Sequence, residues 1–370
     1  MLILFLSSYR DRPKISKYDT DRSFKVTGAQ TNEAPVKYAI ERLKEKGEAL
    51  DKIIALTTPD AIKCSAFELF CIVIGEVSRN TDIVKVKIDN NVSTSILLRE
   101  TLKELEGLQS TDRLIIETTG GFRNAINALT LLARFLRIRH GDNRIVEFST
   151  FSDLQQLKVS DTKETDDLFE LLEAVNVFAT SGNPIPLKNA MRDVKDSPEK
   201  NAFMNSISTF YDTVLCCKMT KMDDAVHNLE RTIKALLTAD YKDESPMLIV
   251  FKEIVNEIIS AKMKFISAKD YLIPLIRWCC ENDYVQQAVI ILVEKVYSYM
   301  QPYESMDNGK KMTRYRRKKR EIGKKINYKT YTRMVKYRDN FAHAGIEEIK
   351  ARADDIKTDV LERLKEIEAM

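Results

Sequence analysis

Two segments carry residue types able to do chemistry. The first is Arg338-Asp339-Asn340-Phe341-Ala342-His343. An arginine keeps its charge at any physiological pH and suits a phosphorane oxygen, while a histidine near its ordinary pKa of about 6.5 gives or takes a proton at neutral pH. Such a pair meets the needs of metal-free RNA cleavage. The ribose 2′-hydroxyl attacks the neighbouring phosphate, Arg338 stabilises the charge that develops, and His343 serves as general acid or base. The products are a 2′,3′-cyclic phosphate and a 5′-hydroxyl. Spacing alone does not single this pair out, because Arg134 and His140 also place a histidine within seven residues of an arginine. Those two end a helical stretch, where positive charge meets the negative end of the helix dipole, and read as structural. On a straight helix Arg338 and His343 stand some 140° apart at about 100° per residue. One helix alone therefore builds a loose site, and a two-fold dimer would bring two copies of the pair to one cleft. Taken alone, the pair also reads as a surface arginine and a helix-start histidine.

The second segment is Thr118-Thr119-Gly120-Gly121-Phe122-Arg123-Asn124, placed where a strand gives way to a helix. In an open α/β sheet, ligands sit beyond the carboxyl ends of the strands. Two glycines there let the backbone approach a phosphate while helix N-terminal amides point at it. The pattern is neither GxGxxG nor a P-loop. Ser7, Ser8, Thr57 and Thr58 fall at the ends of two other predicted strands, on the same rim, where their hydroxyls can donate hydrogen bonds. The same residues also suit a tight turn with capping hydroxyls.

Charge is concentrated. Lys310 to Arg338 holds fourteen Lys or Arg against the single acid Glu321, a local +13 in a chain of net +4, so the remainder is −9. A patch of that density attracts polyanions by counterion release, and as a plain structural feature it is a solvated loop. Six cysteines include the adjacent pairs Cys216-Cys217 and Cys279-Cys280, and the three histidines stand apart. Neither zinc spacing nor a disulfide framework emerges, so a reduced compartment and metal-free chemistry are expected. No apolar run approaches the roughly 20 residues of a membrane span, and Met1 to Leu6 lacks the basic start of a signal peptide. The expected location is the cytoplasm, with no membrane partner.

These segments need elements to hold them. At 370 residues, 44% apolar and 31% charged, the chain has material for two or three domains. Over residues 1–162, short apolar runs (Leu2–Leu6, Lys52–Leu56, Ile83–Ile88, Arg113–Glu117, Arg144–Phe148) alternate with amphipathic stretches of helical length (Pro35–Lys46, Ser65–Ser78, Thr94–Leu108, Phe122–Arg139). That alternation predicts a Rossmann-like domain on a parallel sheet. Over residues 163–370 the strand signals stop and apolar spacing of three and four predicts an all-α domain, with Ser305–Lys325 as a loop or solvated helix extension.

Read together, the strand-end Thr-Gly-Gly-Phe-Arg in a Rossmann-like domain and the Arg-Asp-x-x-x-His of a following helical domain resemble the CARF–HEPN ribonucleases of type III CRISPR systems. Trp278–Glu294 (WCCENDYVQQAVIILVE) resembles the helix-turn-helix with a closing Glu of such HEPN bundles, and Thr27–Pro35 (TGAQTNEAP) the loop before the first CARF helix. The resemblance implies a homodimer whose CARF domains bind a cyclic oligoadenylate activator and switch on cleavage of single-stranded RNA. It assigns the messenger to Thr118, Thr119, Gly120, Gly121, Phe122 and Arg123, with Ser7, Ser8, Thr57 and Thr58 beside them. Arg338 and His343 match the family's catalytic pair, Asp339 its polar position, and Asn340 a helper. No cofactor other than the activator is implied. Two other classes stay open: a ligand-responsive regulator that grips nucleic acid without cutting it, and a nucleotide-using metabolic enzyme, disfavoured by the missing dinucleotide fingerprint.

Overall fold

A computed structural model describes residues 1–6, 15–29, 31–89, 93–107, 109, 112–120, 123–140, 146–153, 155–194, 196–239, 246–297, 328–342 and 351–369. The chain divides into two compact units, Met1–Asp166 and Asp167–Met370. Ser7, Ser8, Gly121, Phe122, His343 and the basic Lys310–Lys325 segment lie outside the described residues.

The first unit is built on β1 (Leu2–Leu6), β2 (Ser16–Thr20), β3 (Val26–Gly28), β4 (Lys52–Thr57), β5 (Asp82–Lys87), β6 (Leu114–Glu117), β7 (Val146–Asp153) and β8 (Lys158–Asp161). With them run α1 (Glu33–Glu45), α2 (Pro59–Lys63), α3 (Ala66–Val77), α4 (Thr94–Lys103) and α5 (Arg123–His140). The strand order is β3-β2-β8-β7-β6-β1-β4-β5. Five strands, β7-β6-β1-β4-β5, pair in parallel. The chain starts in the middle of that set, moves out through β4 and β5, then returns to the other side of β1 through β6 and β7. This is a doubly wound order whose switch point lies between β1 and β6.

The apolar runs form these strands because both faces are covered. Leu2, Leu4, Ile53 and Ala55 pack beneath α1 and α3, while Ile3, Ile54, Leu56, Leu114 and Ile116 pack beneath α4 and α5. Successive side chains of one strand point to opposite layers, so a continuous apolar run is required where an alternating one would leave polar groups buried.

The expectation of a parallel sheet needs correction. β7 and β8 pair antiparallel, as do β2 and β3, which makes the sheet mixed. The sequence gives β2, β3 and β8 little periodic signal. They are short and polar, and Tyr18, Val26 and Val159 are their only buried apolar side chains.

Among its described residues the second unit has helices and no strand. It takes in most of α6 (Lys163–Ser181), then α7 (Ile185–Ala190), α8 (Pro198–Leu215), α9 (Met222–Thr238), α10 (Pro246–Ile254), α11 (Ser260–Lys262), α12 (Leu272–Glu281), α13 (Val285–Ile291), α14 (Tyr328–Ala342) and α15 (Ala353–Glu368). Its core is aromatic: Phe210 stacks on Phe265 at 5.4 Å between centroids, and Trp278 meets both edge-on at 6.0 and 5.6 Å. Trp278 Nε1 donates to the Ala179 carbonyl at 2.8 Å and the Tyr284 hydroxyl to that of Ser181 at 2.7 Å, satisfying the open carbonyls at the end of α6. Gly182 follows at φ +69°, and a Cβ there would stand 3.3 Å from the Trp278 ring, so only glycine turns the chain at this point. Cys279 and Cys280 are buried in the core, whereas Cys216 is exposed at the end of α8. Among the described residues no helix is long and apolar enough to cross a membrane.

Candidate functional site

In the first unit the rim at the switch point is set by register. Leu4 of β1 pairs with Glu117 of β6 and with Ala55 of β4, and Leu6 pairs with Thr57. Thr57, Thr58 and the Thr118–Gly120 turn therefore leave the sheet on one rim, with β1 between them. Their hydroxyls are committed to the fold. Thr57 Oγ1 donates to the Val86 carbonyl at 3.3 Å, and Thr58 caps α2 by accepting from Ala61 N at 3.3 Å. Thr118 Oγ1 donates to the Thr150 carbonyl at 3.0 Å, and Thr119 Oγ1 accepts from Ser152 N at 2.7 Å. Thr57 and Thr58 are buried, Gly120 is buried, and Arg123 is exposed at the first position of α5. The hydroxyls thus shape the turn, while Arg123 begins α5 exposed to solvent.

Beneath this turn sits a residue the sequence reading missed. Glu117, the last residue of β6, is fully buried. Its carboxylate accepts from Thr119 N at 2.6 Å and from the side-chain amide of Asn32, which is also fully buried. The Thr119 hydroxyl and the Gly120 backbone N–H act in the same direction, favouring the charged carboxylate. Burial nevertheless dominates and pushes its pKa up to about 7. Asn32 stands at the N-cap of α1, but its side chain makes no cap bond and reaches Glu117 instead. Nearby on β7, Thr150 Oγ1 and Ser152 Oγ are buried with no hydrogen-bond partner among the described residues. The available signal was an acid closing the run Leu-Ile-Ile-Glu in a strand covered on both faces. A carboxylate in that place needs donors around it.

In the second unit α14 carries Arg338, Asp339 and Asn340 in its last turns. The sequence reading assigned no helix to residues 328–342. The core-facing positions are Tyr331, Met334, Val335, Tyr337 and Phe341, and tyrosines among many cations blur the apolar stripe. Arg333 Nε and the Asp359 carboxylate, 3.0 Å apart, share the Tyr337 hydroxyl, which ties α14 to α15.

Arg338 is half-buried. Its Nη1 donates to Glu294, and its Nε lies 2.8 Å from Asp339 Oδ1, an ion contact without hydrogen-bond alignment. Glu294 lies in a π-helical segment, Leu292–Val296, that continues α13. The wider turn aims Glu294 at Arg338 and lets the next residue, Lys295, donate to Asp223 at 2.6 Å. Insertions of this kind recur where a helix must present a side chain out of register. Asn340 is buried, its amide donating to the Lys336 carbonyl at 3.2 Å while Oδ1 has no partner among the described residues. The structure thus gathers Arg338, Asp339 and Glu294, turns Asn340 back onto its own helix, and leaves His343 immediately beyond the described end of α14.

The fold and these two sites define an α/β unit with a switch-point rim joined in sequence to a helical unit with an arginine–carboxylate cluster. Compared with known proteins, the chain matches no protein-family model and no curated protein.

Proposed function

We propose that this chain is a cyclic-oligoadenylate-activated, metal-independent endoribonuclease of the CARF–HEPN kind, acting on single-stranded RNA in the cytoplasm as a homodimer. The observation that carries the reading is the placing of Arg338: half-buried in the last turns of α14, oriented by Glu294 and Asp339, and five residues before His343. A guanidinium held by two carboxylates keeps further N–H groups for a phosphate, and its orientation is set before substrate arrives. His343 then moves the 2′-hydroxyl or 5′-oxygen proton, and Arg338 meets the charge on the phosphorane. In the first unit, the Thr118–Gly120 turn and Arg123 receive the messenger.

The reading is tested by the ends that the protein leaves on RNA. Cleaved fragments carry 2′,3′-cyclic phosphate and 5′-hydroxyl termini, and Arg338→Ala or His343→Ala lowers the rate by about 10²–10⁴-fold. Ends of the 3′-hydroxyl, 5′-phosphate type would contradict it. A non-catalytic regulator is the second reading, favoured by the +13 segment. It predicts nucleic-acid binding that survives His343→Ala with the strand left intact.

A further inference from the structure

The sequence assigns the amides of the Thr118–Gly121 turn to a phosphate. In the fold, the described part of that turn already has an anion. Thr119 N donates to the Glu117 carboxylate at 2.6 Å and the Asn32 amide donates to its other oxygen, while the Gly120 N–H and the Thr119 hydroxyl favour its charged form. Glu117 is fully buried and one residue from the turn, so its charge lies directly beneath the rim.

We propose that Glu117 is a positioning residue that holds the Thr119 amide in place of a ligand phosphate, so that an anionic nucleotide binds at this rim with uptake of one proton. That the ligand is a nucleotide rests on the messenger reading above. Two buried negative charges sharing one set of donors repel strongly, and the one able to discharge is the carboxyl. Once protonated, Glu117 accepts more weakly from the Thr119 amide, which is then released to the ligand. Among the described residues, no cation bonds to the Glu117 carboxylate. α1 contributes Asn32 and Glu33, the latter paired with Lys37 at 2.7 Å. β7 contributes the hydroxyls of Thr150 and Ser152 and, at its end, Asp153, whose carboxylate accepts from Gln155 N and Gln156 N. β4 contributes the neutral Thr57 and Thr58, and α5 begins with Arg123, exposed to solvent. The carboxyl of Glu117 itself is pushed up to about 7 by burial, which puts the exchange within reach of neutral pH.

The test uses the full chain with cyclic tri-, tetra- and hexa-adenylate as probes. For the ring that binds, calorimetry at pH 8 in two buffers of different ionisation enthalpy reads proton uptake, expected near one per site. The dissociation constant rises towards tenfold per pH unit above about 7. Glu117→Gln, neutral and of the same shape, flattens that profile and binds at least tenfold more tightly than wild type at pH 8.5. A ring bound with no proton uptake and a flat profile overturns the inference alone. No ring bound at pH 6 or pH 8.5 overturns the messenger reading together with it. The proton count is taken on the wild-type protein and stands even if the variant fails to fold.

Discussion

Single side chains decide the two sites, and the most informative is Glu117. Its carboxyl is raised from 4.5 to about 7 in the folded chain, with burial the largest cause. Between those values the unfolded chain is ionised while the folded chain still holds the proton. Stability is therefore full at the acid end of this window and falls as pH rises through it, by about 3 kcal/mol in all, then levels off. Urea unfolding of wild type and Glu117→Gln between pH 4.5 and 8 reads this directly: wild type loses stability relative to the variant by about 3 kcal/mol towards neutral pH, and parallel curves would rule it out. Glu294 acts differently. Its pair with Arg338 is partly exposed, at 41% and 28% of the side chains, so the pair adds less than about 1 kcal/mol to stability. Glu294→Gln accordingly leaves the unfolding midpoint nearly unchanged yet lowers RNA cleavage about tenfold by freeing the guanidinium to wander. Equal loss of stability and activity would refute that division. Arg338 and the Thr-Gly-Gly turn were legible in the sequence because residue type and position announce them. Asn32 and Glu117 were not, because a polar residue beside or within an apolar run reveals its role only when the fold shows what it touches.

At the scale of elements, the alternating half of the chain was legible and its edge was not. Strands buried on both faces must be continuous apolar runs, and β1, β4 and β6 are. β2, β3 and β8 bury one side chain each at most and have nothing periodic to show. In the helical unit, α14 escaped notice because its core stripe is written in Tyr and Phe among lysines and arginines, and the π-segment at Leu292–Val296 leaves no mark in composition. The helices hold together through their aromatic centre. Phe210 is fully buried against Phe265 and Trp278. Phe210→Ala removes that packing and costs about 3–5 kcal/mol, measured by denaturant unfolding. A loss under 1 kcal/mol would mean that the aromatic cluster is not the structural centre of the unit.

At the scale of the whole molecule, the basic charge is concentrated in one segment. If RNA is the substrate as proposed, the +13 carried by Lys310–Arg338 makes its affinity fall with salt, and replacing Lys318, Lys319 and Arg320 by Ser lowers the slope of log K against log salt by about 2. An unchanged slope would remove that segment from the RNA path. A messenger bound in one unit can raise activity in the other only if it binds the active arrangement more tightly than the resting one, so affinity alone switches nothing. The most direct measurement is cleavage of a fluorescent single-stranded RNA in EDTA, with cyclic tri-, tetra- or hexa-adenylate added one at a time, for wild type and His343→Ala. Cleavage that requires one ring size and disappears in the variant is the result predicted here. RNA bound but left whole under every ring, or cut equally well by the His343→Ala protein, would contradict it.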